Sequence, residues 1–372
     1  MKEITKDKRV ILLGEQGHYD LSTTEVKGNM VKELMKLGFT TIAIEVPSII
    51  TPYVYSQKEF SSITASWDLE TIMNSPWTRQ EEFKPVLELI KNKTLKLTGI
   101  DVNIRDYDFE AVQLLLEKYS AGESFNFDWN KFIRLFYKLA GDAWNNHDSL
   151  SFDDQVRYMT MVDDISNRVD YLILKNGPDP DLKAIKQWLR AVNRSFFEIS
   201  AMPFAYYETD MRSIVLSLSN DQRDASMADN VLWHLEHFPK EKIIIWCANF
   251  HAAKDISQTR YHDNSLDYYY QQLMGEHLYN KLGNEIYSLA FTSSNNSGEE
   301  HHTLGGLEKE ISEVIGENEF AFINFRPLRF EPGYRDCRLE TEFMRKKYGR
   351  WLNIYDGVYY IEHRRTNYVK PE

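Results

Sequence analysis

Cysteine is nearly absent from this chain. Cys247 and Cys337 are the two among 372 residues, which rules out a disulfide framework or a cysteine-based metal motif and fits a reducing compartment. Positive charge is also short. Lys and Arg number 44 against 56 Asp and Glu, a formal net charge of −12. That balance repels phosphate backbones and anionic lipid, so neither nucleic acid nor a membrane surface is expected as a partner. No apolar run approaches the roughly 18 residues of a membrane span. The opening MKEITKDKRVILLG has no long apolar stretch and no small-residue cleavage site, so it does not read as a secretory signal. A cytoplasmic location is the expectation. Repeats, low-complexity tracts and coiled-coil heptads are missing too, as are several hydrolase signatures. There is no Gly-x-Ser-x-Gly elbow for a serine nucleophile, no His-Glu-x-x-His zinc helix and no Lys-Ser/Thr phosphate loop.

What is present is the grammar of a parallel sheet. Val10 to Leu13 is a short apolar strand. Ser22-Thr-Thr-Glu25 has the form of a capping box, opening a helix with Val26, Met30, Leu34 and Leu37 on one face and Gly38 at its end. Thr40 to Val46 is a continuous apolar run of the kind found in strands covered on both faces. A second capping box, Thr78 to Glu81, precedes Phe83, Val86, Leu87 and Ile90, with Pro85 as an irregularity, and Leu95 to Val102 is a third strand. From about Asp106 to Ser219 the periodicity is helical, broken at NGPDPD, Asn176 to Asp181. Sheet grammar returns with a helix over Ala225 to Phe238 and a buried strand, Lys242 to Trp246, running into CANFH. Further strands are expected at Glu285 to Phe291, Phe320 to Phe325 and Val358 to Glu362, with long polar loops at Ala253 to Ser265 and Thr292 to Gly306. The expected fold is α/β: a mostly parallel sheet with flanking helices and an all-helical insertion. Residues 1–105 and 216–372 would form the core that carries the site, and 106–215 a helical insertion or cap.

Several of these strands end in residues of catalytic type. Glu15 and His18 follow the first, Glu45 closes the second, Asp101 the third, and Asn249 and His251 follow the strand after the helical segment. Ligands of open parallel sheets bind beyond the carboxyl ends of the strands. Any one of these residues alone reads most simply as a turn or cap residue, but turn chemistry does not require Glu-x-x-His in one loop and His in another. With no nucleophile signature, the economical chemistry is direct activation of water by a neutral imidazole that a carboxylate orients. Arg223 is the candidate cation opposite the acids. It shares a helix face with Met227 and Asn230, although pairing with Asp224 or Asp229 would account for it equally. Trp77 is expected as a substrate contact. Trp67, Trp144 and the rings of Asp267 to Tyr279 suit packing, the acidic pairs at 153–154 and 163–164 suit solvated helix faces, and His301-His302 suit an exposed loop.

The segments GEQGH, LGFTTIAIE, TGIDV, RDASMADNVLW, IIIWCANFH and YDGVYYIEHRR resemble, in order and rough spacing, the erythromycin esterase family. The resemblance implies a hydrolase that opens a macrolide lactone by water attack without an acyl-enzyme. It implies His18 as general base with Glu15 and Glu45 in support, Arg223 and His251 at the carbonyl oxygen, and Asn230 and Asn249 as further motif positions. Together with Asp101 and Trp77, these two asparagines form the expected substrate-binding set. The chain departs from the family pattern twice: Ala248 stands where the first His of His-Asn-x-His is usual, and Tyr19 replaces the Gly after His18. The expectation is therefore an ester or lactone hydrolase acting on a small molecule, with no cofactor. Two other readings stand beside it. Glu15, His18, Glu45 and His251 are acceptable ligand types for Zn or Mn in a metal-dependent hydrolase, and a site lacking one imidazole suits a non-catalytic pocket for a haem-like ligand or a glycoside.

Overall fold

The computed structural model describes residues 2–45, 48–73, 75–120, 123, 125–141, 151–207, 209–261, 272–293, 307–330, 337–339 and 347–366. Chain contacts divide it into two compact units. One comprises Met1–Glu45, Met73–Leu97 and Phe238–Glu372, and the other Val46–Ile72 and Thr98–His237.

Among the described residues, the first unit carries the strands β1 (Val10–Leu13), β2 (Thr41–Ile44), β3 (Lys96–Gly99, within which the chain leaves the unit), β4 (Ile243–Trp246), β5 (Thr259–Tyr261), β6 (Ile286–Ser293), β7 (Phe320–Asn324), β8 (Cys337–Leu339), β9 (Lys347–Gly349) and β10 (Gly357–Ile361). Seven of them form one sheet in the order β3-β2-β4-β1-β6-β10-β7. The β2–β4, β4–β1, β1–β6 and β6–β10 pairs are parallel, and β10–β7 is antiparallel. This is the α/β class that the apolar runs imply. Strands β1, β2 and β4 are buried along their whole length because helices cover both faces. Their register sets Leu13 and Ile44 both opposite Trp246, so the three strands end level. Whatever follows them emerges at one edge.

Two helix starts differ from the capping boxes read in the sequence. The helix Leu21–Lys36 is capped by Asp20, whose carboxylate accepts from the Thr23 N–H at 2.9 Å and the Thr23 hydroxyl at 2.7 Å. Ser22 instead accepts from the Arg365 N–H at 2.9 Å. The buried face keeps the expected Met30 and Leu34, leaves Val26 and Leu37 half-buried and takes in Lys27 and Val31 as well, while Gly38 closes the helix at φ +88° as expected. The second box forms short 3₁₀ turns, and the helix begins only at Lys84, where Pro85 sits in the first turn and removes no needed N–H. The small antiparallel sheet β5-β9-β8 was not foreseen.

The second unit is helical. Its long helices are Asp106–Ser120, Trp129–Gly141, Phe152–Asn176, Pro180–Tyr207 and Thr209–His237. Phe109 packs edge-on against Phe132, Phe136 and Trp188 in its core. The unit takes in more chain than 106–215, because Val46–Ile72, Asp101 and the whole helix carrying Arg223 belong to it. Among the described residues no helix is long and apolar enough to cross a membrane.

Candidate active site

Beyond the level ends of β1, β2 and β4 lies a cluster that belongs wholly to the first unit. Gly14 makes it possible. A Cβ there would fall 2.2 Å from Asn249 Oδ1 and 3.1 Å from the Leu289 carbonyl oxygen, so only glycine lets the loops after β1 and β4 approach this closely. The Asn249 N–H donates to the Glu15 carbonyl at 2.8 Å. The Asn249 side chain exchanges two bonds with the backbone of Phe291 on β6, at 2.7 and 3.0 Å. The Asn249 amide, expected at the substrate, is buried and stitches strand ends together.

Glu15 is 1% exposed and holds three donors. Oε1 lies 2.7 Å from His18 Nδ1 and accepts the Trp77 indole N–H at 2.7 Å, while Oε2 is 2.7 Å from Lys27 Nζ. Trp77 is fully buried, with its ring edge-on to His18 at 5.1 Å. Its indole N–H is committed to the carboxylate, and its ring lies against His18. With Nδ1 against Glu15, the neutral His18 ring keeps its proton on Nδ1 and its lone pair on Nε2. Burial pulls the His18 pKa down, but the Glu15 hydrogen bond and charge, aided by Glu45, outweigh burial and the opposing His251, so the pKa is raised above 6.5.

Glu45 and His251 form a second carboxylate–imidazole pair, with Oε1 and Nε2 3.3 Å apart. The other Glu45 oxygen accepts the Ala248 N–H at 2.8 Å, anchoring the short helix Asn249–Ala252 on which His251 sits. The side chains of Glu15, Lys27, Glu45 and His251 are at most 9% exposed, whereas His18 is 28% exposed. Among the described residues, no three His, Cys, Asp or Glu side chains converge as a metal-holding group. The oxygens of Glu15 already face His18, Trp77 and Lys27, and those of Glu45 face His251 and the Ala248 amide.

Lys27 had no place in the sequence reading. The signal was there: Lys27, Val31 and Leu34 share a face at i, i+4, i+7, so the lysine lies on the buried stripe.

In the helical unit, Arg223 makes a two-pronged ion pair with Asp101, Nε to Oδ1 at 2.8 Å and Nη2 to Oδ2 at 2.9 Å. Its partner is thus Asp101 rather than Asp224 or Asp229, and Asp229 instead takes Arg194 at 2.8 Å. Asp101 is fully buried beneath this pair. Asn230 donates to the Ile100 carbonyl and accepts from Gln187, both at 2.8 Å. The polar atoms of Asp101 and Asn230, both expected at the substrate, hold neighbouring chain in the same way as those of Asn249. Trp144 and His301-His302 lie outside the described residues.

The family model described as erythromycin esterase matches residues 35–306. The chain belongs to the erythromycin esterase family. The matched span contains Glu45, Arg223 and His251 and begins after the GEQGH loop. Among solved structures, the chain is similar to a histidine-to-asparagine mutant of erythromycin esterase EreC in its open conformation. The identity is 14% and the TM-score 0.70, covering 100% of this chain and 95% of that one. It is also similar to a Bacillus cereus protein, at 17% identity and TM-score 0.67 with coverage of 98% and 90%. A succinoglycan biosynthesis protein follows at 13% identity and TM-score 0.60, with coverage of 98% and 90%. At such identities the likeness is one of fold. No curated protein matches the chain. Family membership and fold together support an esterase-like hydrolase.

Proposed function

We propose that the protein hydrolyses an ester or lactone of a small molecule by direct attack of water, with His18 as the general base. The observation that carries this reading is the Glu15–His18 pair: a buried carboxylate fixes Nδ1 at 2.7 Å, and the imidazole is the one member of the cluster with substantial exposure to water. Water gives a proton to Nε2 as its oxygen bonds to the carbonyl carbon, and Glu15 stabilises the imidazolium that results. The oxyanion that forms needs a donor. We assign that part to His251, whose Nε2 lies 3.3 Å from Glu45 Oε1. The C–O bond then breaks, the alkoxide takes the proton from His18, and a carboxylic acid and an alcohol leave. No residue of the chain becomes acylated.

The family's macrolide lactones define the first substrate class to try. Ala248 removes one imidazole from the usual motif, which favours a substrate different from erythromycin. The test is a panel of macrolides, simple lactones and aryl esters against the parent and His18→Ala. The variant is expected to lose about 100-fold to 10,000-fold in kcat/KM with its circular dichroism unchanged. Full retention of activity by that variant would remove His18 from the mechanism.

A further inference from the structure

We infer that Lys27 is a positioning residue for the base: it holds Glu15 against His18 and moderates the negative charge that Glu15 presents to the imidazole. This rests on the reading of His18 as the base. Lys27 is fully buried, with Nζ 2.7 Å from Glu15 Oε2 and 4.2 Å from the centroid of the Trp246 ring, and it donates to the Cys247 carbonyl at 3.4 Å. A buried ammonium is unfavourable unless it is paired, and an apolar side chain would satisfy the packing of this helix face without that penalty. Desolvation outweighs Glu15, Cys247 and Glu45, so the Lys27 pKa is lowered from its ordinary 10.5. Its Nζ lies against the carboxylate that is bonded to His18.

Two effects follow. The first is geometric. Lys27 takes Oε2, and His18 and Trp77 converge on Oε1, so the carboxylate is fixed and Oε1 stays aimed at Nδ1. The second is electrostatic. Among the described residues, the leading charged and titratable groups acting on His18 are Glu15, Glu45 and His251. Of the two acids, Glu15 is bonded to the ring directly, and half of its charge faces Lys27. Without Lys27 the Glu15–His18 pair keeps its shared proton to higher pH, where a base must already be free. Lys27 touches neither water nor substrate in this scheme; it acts through Glu15.

The test reads the His18 ring itself. In the full-length chain with ¹³C-labelled histidine, the His18 resonance is assigned by its loss in His18→Gln and titrated by NMR. Hydrolysis of p-nitrophenyl acetate is followed over the same pH range. In Lys27→Met the His18 midpoint is expected to rise by about one unit or more, with the acid limb of kcat/KM moving alike, and Lys27→Arg is expected to restore both. The double variant Glu15→Gln with Lys27→Met removes both charges at similar volume. Its midpoint should lie above that of Glu15→Gln alone, which keeps the lysine, and that comparison decides the matter where Lys27→Met alone does not fold. An unmoved midpoint in either comparison overturns the inference. A midpoint that moves while the hydrolysis profile stays fixed ends the assignment of His18 as base, and the catalytic role of Lys27 with it.

Discussion

His18 must be neutral to take a proton from water, yet its surroundings favour the proton. Burial opposes the charge, but Glu15 and Glu45 outweigh it and raise the pKa above 6.5. The acid limb of kcat/KM is therefore expected to have its midpoint above pH 6.5, with activity rising through it as the imidazole is freed. Glu45→Gln removes one of the charges that raise it, so the limb should shift to lower pH, while the rate on the plateau falls because His251 loses its carboxylate. A pH–rate profile of the two proteins checks both directions. The same raised value makes a stability statement. A group whose pKa is higher folded than unfolded contributes stability that is fully present below the unfolded value of 6.5 and is lost as pH rises through the folded value. His18→Ala should thus lower Tm more at pH 5.5 than at pH 9. At this scale the sequence was informative where chemistry-bearing residues sit directly at strand ends, as Glu15, Glu45 and His251 do. It did not show which partners the polar atoms of Trp77, Asn230 and Asn249 take, because a polar group in a motif looks the same whether it faces a ligand or the protein itself. Lys27 was missed because a helical lysine is ordinarily solvated.

Among the elements, the strands were legible and the helix starts were not. Four-residue apolar runs such as Val10–Leu13 and Ile243–Trp246 are unambiguous because both faces are covered. A Ser/Thr-x-x-Glu pattern, by contrast, marks a helix start only when its hydroxyl is not claimed elsewhere. Ser22 is claimed by the backbone of Arg365, so the cap passes to Asp20. The three-residue strands β5, β8 and β9 are too short to show any period. The element that matters most for the site is the junction of β1 with the turn after β4, where Gly14 faces Asn249. Gly14→Ala places a methyl group 2.2 Å from Asn249 Oδ1 and 3.1 Å from both Asn249 Cα and the Leu289 carbonyl oxygen. Two of those three contacts are backbone, so little can yield. The substitution is expected to destabilise by about 1–3 kcal/mol or more, measured by urea unfolding, and to reduce hydrolysis by displacing Glu15.

At the scale of the whole chain, the sheet-bearing unit is assembled from three separated segments, and its last strand must be held to the turn that carries His251. Hydrophobic pattern says nothing about that tie, which is electrostatic. Asp356, immediately before β10, is fully buried. Its Oδ1 lies 2.6 Å from Lys254 Nζ, 3.0 Å from Arg326 Nε and 2.8 Å from Arg329 Nη2, while Oδ2 accepts the Ser288 N–H at 2.9 Å. Burial acts to raise its pKa, but Lys254 and Arg326 hold it down to about 2. The same burial pulls Lys254 down to about 8 despite the ion pair. The carboxylate, shared by three cations, is thus the group that the cluster stabilises, and the lysine bears the desolvation. A folded value below the ordinary 3.8 means that the contribution of Asp356 is present above that pH and is lost as pH falls toward 2. Asp356→Asn leaves a buried ammonium and two partly exposed guanidinium groups without their common anion. It is expected to lower the unfolding free energy at pH 7 by about 3 kcal/mol. The difference from the parent should shrink as the pH of a urea titration is taken from 5 to 2. A variant as stable as the parent at pH 7 would show that the three cations find other partners and that β10 is held by its strand pairing alone.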